Sequence, residues 1–184
     1  MQIVYRDVAS VPWHRLTTAY GRGTKIPELI KNEQYGELDQ LIEHQSTLWQ
    51  VTPWVIQQLL YMLSKRSVES VTQEEVQLYE SVASAFTWEE LASSPVQHMD
   101  ELLQGKWLWS ENEEDDEGEW EEEEPRGYEQ CAFVSYYVYS EYQMHEAIPI
   151  FQKIASMRED LALNLIELID FLESRTALWR SLCV

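Results

Sequence analysis

The 184-residue sequence predicts an all-α protein of stacked antiparallel helix pairs, with an acidic loop inserted among the helices. Three observations predict this class. Apolar residues recur at helical spacing along most of the chain. Several of these stretches open with a capping residue or a proline and follow one another through short connections. No hairpin turn between two alternating stretches is evident. Since 45% of the residues are hydrophobic, a single helical domain spanning residues 1–184 can bury a core.

The first third of the chain predicts three short helices, over residues 13–20, 27–31 and 35–44. Gly21 and Gly23 interrupt the apolar pattern and mark a turn between the first two helices.

The stretch TPWVIQQLLYMLSKR predicts the most buried helix of the chain. Thr52 is a suitable N-cap, Pro53 suits the first helical position, and Lys65 and Arg66 suit the last turn. Because apolar side chains leave little polar face, we expect other elements to cover this helix on more than one side.

Two further helices are expected before the acidic region. Thr72 and Glu75 have the spacing of a capping box, and apolar residues then recur at helical spacing as far as Leu91. Another helix is expected to begin at Ser94 and to stop at Gly105.

Residues 131–144, CAFVSYYVYSEYQM, are ambiguous. Their aromatic and β-branched content favours a strand, but the neighbouring stretches are helical and no strand partner is visible, so we predict a helix. Two more helices follow, and the second continues its apolar pattern through TALWRSLC to the end. That helix carries one apolar face, formed by Leu161, Leu165, Leu168, Ile169 and Leu172.

The acidic region, predicted as a loop over residues 110–127, carries 11 acidic side chains among the 14 residues 111–124. Such a block is typical of a solvated connector that contributes little to a core. The alternative is a binding surface, since tryptophan is enriched at binding hot spots. The candidate partner-binding residues are Trp107, Trp109, Glu113, Glu114, Asp115, Asp116, Glu117, Trp120, Glu121 and Glu122.

The formal net charge is −20, and outside the acidic run 22 acidic residues still face 13 basic ones. A field of this sign repels nucleic acid and anionic membranes and attracts basic proteins. The opening residues lack the apolar core of a signal peptide, and no apolar stretch reaches the ~18 residues of a spanning helix. The expectation is therefore a cytoplasmic protein with a basic protein partner, and neither a nucleic acid nor a membrane as partner.

No catalytic or metal-binding signature stands out. His44 lies beside Ser46, but no nucleophile elbow surrounds the serine, and we expect this segment to end one helix and turn the chain. The four histidines lack an i,i+4 pair, and Cys131 and Cys183 belong to no C-x-x-C motif. We therefore expect no metal, no cofactor and no enzymatic activity, unless catalytic residues converge only in the folded protein.

Two stretches, VPWHRLTTAYGRGTKIPELI and EHQSTLWQVTPWVIQQLL, resemble the opening of a group of largely uncharacterised bacterial HEAT-like α-solenoid proteins. The resemblance covers roughly residues 11–65. It implies an α-α superhelix whose concave surface binds proteins or peptides. The matching positions are Trp13, Leu16, Tyr20, Gly21, Pro27, His44, Gln45, Thr47 and Trp49.

The resulting functional hypothesis is a protein-binding α-solenoid, in its most concrete form an immunity or antitoxin-type inhibitor of a basic, nuclease-like toxin. Dense carboxylates can imitate a phosphate backbone and steer a basic cleft toward the inhibitor. The alternative is a scaffold or regulatory adaptor that binds a peptide on its concave helix surface, with the acidic run only increasing solubility.

Overall fold

The computed structural model describes residues 5–86, 93–123 and 125–180, with side chains as far as residue 175 in the last helix. This part of the chain is mostly helical, which confirms the all-α class. Short 3-10 turns and two small hairpins connect the helices. The helices are α1 Ile26–Lys31, α2 Tyr35–Ile42, α3 Thr52–Lys65, α4 Gln73–Ser84, α5 Asp116–Glu121, α6 Gln130–Glu146, α7 Ile148–Met157 and α8 Glu159–Arg180.

The first hairpin replaces the helix expected over residues 13–20, so that prediction is wrong. A 3-10 turn, Trp13–Arg15, leads into β1 Thr17–Thr18, which pairs antiparallel with β2 Gly21–Arg22. The Thr18 hydroxyl accepts from the Tyr20 amide at 3.1 Å and donates to the Gly21 carbonyl at 3.0 Å. Such local side-chain bonds compete with helix formation.

The second hairpin joins β3 Glu43–His44 to β4 Thr47–Leu48. Gln45 and Ser46 form its two-residue turn, both at positive φ, as hairpin turns that match strand twist require. Helix α2 therefore ends at Ile42, two residues earlier than predicted. His44 belongs to the ladder that follows α2, and its Nδ1 lies 3.3 Å from the Tyr20 hydroxyl.

Helix α3 is the core helix that the sequence predicts, and Trp54, Val55 and Ile56 in its first turns are fully buried. Thr52 is its first residue and not its cap. The Thr52 hydroxyl accepts from the Trp49 amide at 2.9 Å and donates to the Ile42 carbonyl at 2.5 Å. The threonine thus ties the start of α3 to the end of α2.

Helix α4 begins as predicted, because the Thr72 hydroxyl accepts from the Glu75 amide at 3.2 Å. The second bond of a capping box, from the Thr72 amide to the Glu75 carboxylate, is not among the described contacts. The buried Glu75 carboxylate instead binds Arg66 and accepts from the Tyr79 hydroxyl. The predicted continuation to Leu91 lies outside the described residues.

The helix expected from Ser94 to Gly105 is reduced to a 3-10 helix, Met99–Leu103, so its predicted extent is wrong. His98 precedes this helix, and its amide donates to the Glu101 carboxylate at 2.8 Å. This local bond fixes a start five residues later than predicted.

The ambiguous tyrosine-rich stretch is helical, as predicted, and forms α6. Strand propensity is overridden here because the helix is buried on nearly all sides. Its tyrosine hydroxyls find polar partners beyond the helix: Tyr136 donates to the Gly127 carbonyl, and Tyr139 donates to the Val96 carbonyl at 2.9 Å. The aromatic rings fill the core while their polar tips stay paired.

Helices α7 and α8 are confirmed and pack on each other. The predicted apolar face of α8, from Leu161 to Leu172, is buried. Helix α8 also contacts α4 and α6, while α3 packs on α6 and α2 packs on α4. The core therefore lies among α3, α4, α6 and α8. The last predicted helical residues, 181–183, lie outside the described part.

Within the described ranges, no helix combines the length and the apolar character needed to cross a bilayer.

Candidate protein-binding surface

The acidic region is not the irregular loop that the sequence predicts. Between residues 110 and 123 the chain forms a 3-10 turn, Glu113–Asp115, that runs directly into α5. The Asn112 side chain accepts from the Glu114 amide at 3.3 Å and caps the turn. Acidic residues in the first turn also interact favourably with the helix dipole, which helps to explain how so acidic a segment becomes helical.

Arg22 on β2 holds this segment against the N-terminal hairpin. Its Nε donates to Asp116 Oδ2 at 2.9 Å, and its Nη2 binds Asp116 Oδ1. Its Nη1 donates to the carbonyls of His14 at 2.7 Å and Ser110 at 2.8 Å, and Nη2 also donates to the Asn112 carbonyl at 3.2 Å. The Arg22 side chain is only 5% exposed, and the Asp116 bond raises its pKa.

A second basic contact fixes the residues just before the turn. Arg15 donates from Nε to the Trp109 carbonyl at 2.6 Å and from Nη1 to the Glu111 carboxylate at 3.0 Å. The other Glu111 oxygen lies 3.0 Å from His14 Nε2. The hydrogen bond from His14 and the positive charge of Arg15 lower the pKa of the Glu111 carboxyl.

A third contact lies on the other side of α5, where Arg126 pairs with Glu119 at 2.5 Å. Asp115 accepts from the Ser110 hydroxyl at 2.7 Å. Together with Glu111 and Asp116, these residues form a set of carboxylates that are paired with groups of the same chain.

The remaining carboxylates of the segment form a second set with different properties. They are exposed, and within residues 5–86, 93–123 and 125–175 their carboxylates have no ion-pair or hydrogen-bond partner. We call this set, together with Trp120, the acidic surface; its carboxylates are those of Glu113, Glu114, Glu117, Glu121, Glu122 and Glu123.

Two of the three predicted tryptophan anchors are buried. Trp107 is 6% exposed and Trp109 is 1% exposed, so neither lies on the surface that a partner would contact. Trp109 Nε1 donates to the Arg126 carbonyl at 2.9 Å, and Lys106 Nζ lies 4.2 Å from the centre of the Trp107 ring. These two large rings therefore stabilise the fold of the protein itself, because their apolar surface is removed from water.

Of the three predicted anchors, Trp120 remains accessible, with 44% of its surface exposed. Its ring centroid lies 4.7 Å from that of Trp109, 5.6 Å from that of Tyr128 and 6.5 Å from that of Trp49. Part of the ring therefore packs on an aromatic cluster of the fold, and the rest faces solvent. Trp49 and Tyr128 were missed by sequence reasoning, because no local pattern connects positions so far apart.

Gln50 joins both ends of the acidic segment to β1. Its Oε1 accepts from the Thr17 amide at 2.9 Å and from the Thr17 hydroxyl at 3.0 Å. Its Nε2 donates to the Trp107 carbonyl at 2.9 Å and to the Arg126 carbonyl at 3.3 Å. Because the Gln50 side chain is buried, each of these hydrogen bonds replaces a hydrogen bond to water. They fix the two ends of the acidic segment, at Trp107 and at Arg126.

A cleft of about 770 Å³ adjoins α5. Carboxylates outnumber cations along its wall, where the cations are Lys106 and Arg126. Its electrostatic character thus matches that of the acidic surface, and both favour positively charged groups.

Among the described contacts, His44 and Ser46 share no hydrogen bond. Ser46 occupies the exposed turn of the second hairpin at a φ of 61°, and the His44 ring contacts Tyr20. In the described portion of the chain, no group of three or more His, Cys, Asp or Glu side chains is arranged to hold a metal ion.

No family model, no curated protein and no solved structure matches this chain. The HEAT-like resemblance of residues 11–65 therefore stays a prediction.

Proposed function

We propose that this protein binds a basic protein partner through its acidic surface. One observation carries the proposal: six unpaired, exposed carboxylates and the half-exposed Trp120 lie on one segment that internal ion pairs hold in place. An acidic segment that only increased solubility would not need a buried arginine to fix its shape.

The chemistry of this surface fits lysine and arginine side chains. Carboxylates accept charge-assisted hydrogen bonds from guanidinium groups, often two in parallel. A cation can also lie on the accessible part of the Trp120 ring, where the interaction strengthens as water is excluded. The net charge of −20 adds a long-range attraction that raises the association rate.

In its most concrete form, we propose an immunity or antitoxin-type inhibitor of a basic, nuclease-like toxin, acting in the bacterial cytoplasm. Closely spaced carboxylates would occupy the cleft in which the toxin binds phosphates, and the protein would not itself bind nucleic acid. The proposal keeps the HEAT-like superhelix of stacked antiparallel helix pairs. Helices α7 and α8, consecutive and packed on each other, would form one such pair.

A second candidate is a peptide-binding adaptor that uses a helix surface. A groove of about 300 Å³ between α3, α6 and α7 favours it, since aromatic and aliphatic side chains meet there beside amides. Its lining includes Leu60, Tyr61, Tyr142, Gln143 and Ile150. A Tyr61→Glu variant, at a lining residue with 43% of its surface exposed, would impair binding to this groove and leave the acidic surface unchanged.

The test compares two peptides of equal length, one rich in arginine and one with each arginine replaced by glutamine. We expect the arginine peptide to bind, more tightly at low salt, and the glutamine peptide not to bind. A Glu117→Gln/Glu121→Gln variant should bind the arginine peptide more weakly, because two unpaired carboxylates are removed. Equal binding of both peptides, or binding that Tyr61→Glu abolishes and the double variant leaves unchanged, would contradict the proposal.

A further inference from the structure

Arg22 has an unusually complete set of contacts. A guanidinium carries five N–H donors. Those of Arg22 meet the Asp116 carboxylate from Nε and Nη2, two carbonyls from Nη1, and the Asn112 carbonyl from Nη2. Because the carbonyls of Ser110 and Asn112 and the carboxylate of Asp116 come from successive turns of the acidic segment, one side chain closes this stretch of chain around itself.

Helix α5 cannot depend on its own sequence for its shape. It has six residues, and isolated helices much shorter than ~12–15 residues are marginal in water. It contains Gly118, which weakens a helix interior, and Glu117 and Glu121 repel each other at i,i+4. The helix must therefore be stabilised by its contacts with the rest of the fold, chiefly those of Arg22 and Trp120.

We propose that Arg22 is the positioning residue of the acidic surface. It holds the Ser110–Asp116 stretch closed, and so fixes α5 with its unpaired carboxylates and Trp120 presented together to a cationic partner. With 5% of its side chain exposed, Arg22 acts through Asp116 and does not meet the partner. The inference rests on the function proposed above for this surface.

Charge alone and positioning predict opposite results for Arg22→Gln. Removing a positive charge makes this region more negative, which on electrostatic grounds strengthens the binding of a cationic peptide. When the Ser110–Asp116 stretch is no longer held closed, α5 must become ordered as the peptide binds. The cost of this ordering weakens the binding of the peptide. The sign of the change in affinity therefore separates the two effects.

Lys25 supplies the matched control. It lines the same cleft of about 360 Å³ as Arg22 and Asp116, it is exposed, and its ammonium group has no ion-pair partner in the described ranges. Lys25→Gln thus removes the same charge close by without opening the segment. Arg22→Lys supplies the conservative variant, because it keeps the charge and loses the planar fork of donors.

The experiment measures hydrogen exchange in the absence of any ligand and the affinity for the arginine-rich peptide. In Arg22→Gln and Arg22→Lys we expect faster exchange confined to residues 110–123, with α3 and α6 as protected as in the wild type. We expect affinity roughly tenfold weaker in Arg22→Gln, because preorganisation is lost. Lys25→Gln should exchange like the wild type and bind equally well or more tightly.

Unchanged exchange of residues 110–123 in both Arg22 variants would overturn the inference, as would tighter binding in both. If Arg22→Gln loses the global fold, the folded Arg22→Lys variant decides by the same two measurements. Failure of the proposed function is distinguishable, since the wild type would then not bind the arginine peptide even though the exchange of the acidic segment still depended on Arg22.

Discussion

The side-chain amide of Gln50 occupies the space that a side chain on Gly127 would need. A Cβ built on Gly127 would lie 1.7 Å from Gln50 Nε2 and 2.7 Å from the Trp107 carbonyl oxygen. Gly127 also has a φ of 85°, in the left-handed region that side chains disfavour. The chain leaves the acidic segment at Gly127. There it lies so close to the buried Gln50 side chain that only glycine fits.

We predict that Gly127→Ala lowers the free energy of unfolding by more than ~2 kcal/mol, because the backbone is strained and Gln50 must leave its partners. Chemical denaturation measures the change. Gly36→Ala is the control: its added Cβ meets nothing within 4 Å in α2, and it should be neutral or stabilise by up to ~1 kcal/mol. Equal behaviour of the two variants would contradict the role of the Gln50 contact.

The buried pair of Glu141 and Arg175 joins α6 to α8. Arg175 Nε lies 2.8 Å from Glu141 Oε1, and Arg175 Nη2 lies 3.2 Å from Glu141 Oε2. Glu141→Gln should destabilise the fold by ~3–5 kcal/mol, because it removes the carboxylate from a buried guanidinium. Thermal and chemical unfolding test this. Asp160→Asn breaks an exposed pair with Arg158 and should change stability little; a similar small loss in Glu141→Gln would show that the buried pair is dispensable.

Asp39 predicts a pH dependence. Burial raises the pKa of its carboxyl, and the nearby Glu43 carboxylate raises it further. Because the pKa of Asp39 is higher in the folded than in the unfolded state, the folded protein binds more protons between the two pKa values. The free energy of unfolding therefore falls as the pH rises from 3.8, the ordinary pKa of the group, through the raised pKa.

We therefore expect Asp39→Asn to be more stable than the wild type at pH 7 and to lose this advantage below about pH 3.8, where the wild-type carboxyl is protonated in both states. Unfolding free energies of the two proteins across this range provide the measurement. Asp170→Asn, at an exposed position on α8, is the control substitution. An advantage for Asp39→Asn that is constant with pH would point to packing rather than to charge.

Local patterns predicted the helices whose stability is decided locally or by a continuous apolar face. Thr72 caps α4, and the five apolar residues of α8 form one buried face. The two hairpins were missed because their ladders contain only two residue pairs each and depend on turn geometry at Gly21 and at Gln45–Ser46.

The candidate site was predicted in part, since the acidic run and Trp120 are evident in the sequence, whereas the contacts that shape the site are not. Arg22 and Asp116 lie 94 residues apart, and Trp49 and Trp120 are also distant in sequence. The interpretation of the run as a solvated connector overlooked these partners. Removing residues 111–124 would leave the buried Arg22 without Asp116 and would uncover the ring of Trp109.

Point substitutions therefore test the binding surface better than a deletion, because charge and the aromatic ring act at different stages of binding. Glu117→Gln/Glu121→Gln should lower the association rate for a basic partner and reduce its dependence on salt, since long-range attraction precedes contact. Trp120→Ala should mainly raise the dissociation rate, because the ring contacts the partner only after docking. Stopped-flow measurements between 0.1 M and 1 M salt, where the Debye length falls from ~10 Å to ~3 Å, separate the two effects.

Glu173→Gln on the exposed part of α8 is the control for charge, as it removes one carboxylate away from the acidic segment and should change the association rate only slightly. If Glu173→Gln lowers the rate as much per charge as the double variant does, attraction comes from the net charge of the protein and not from the acidic surface. If Trp120→Ala leaves dissociation unchanged while hydrogen exchange shows that α5 is still ordered, the ring stabilises the fold alone, and contact with the partner is confined to the carboxylates.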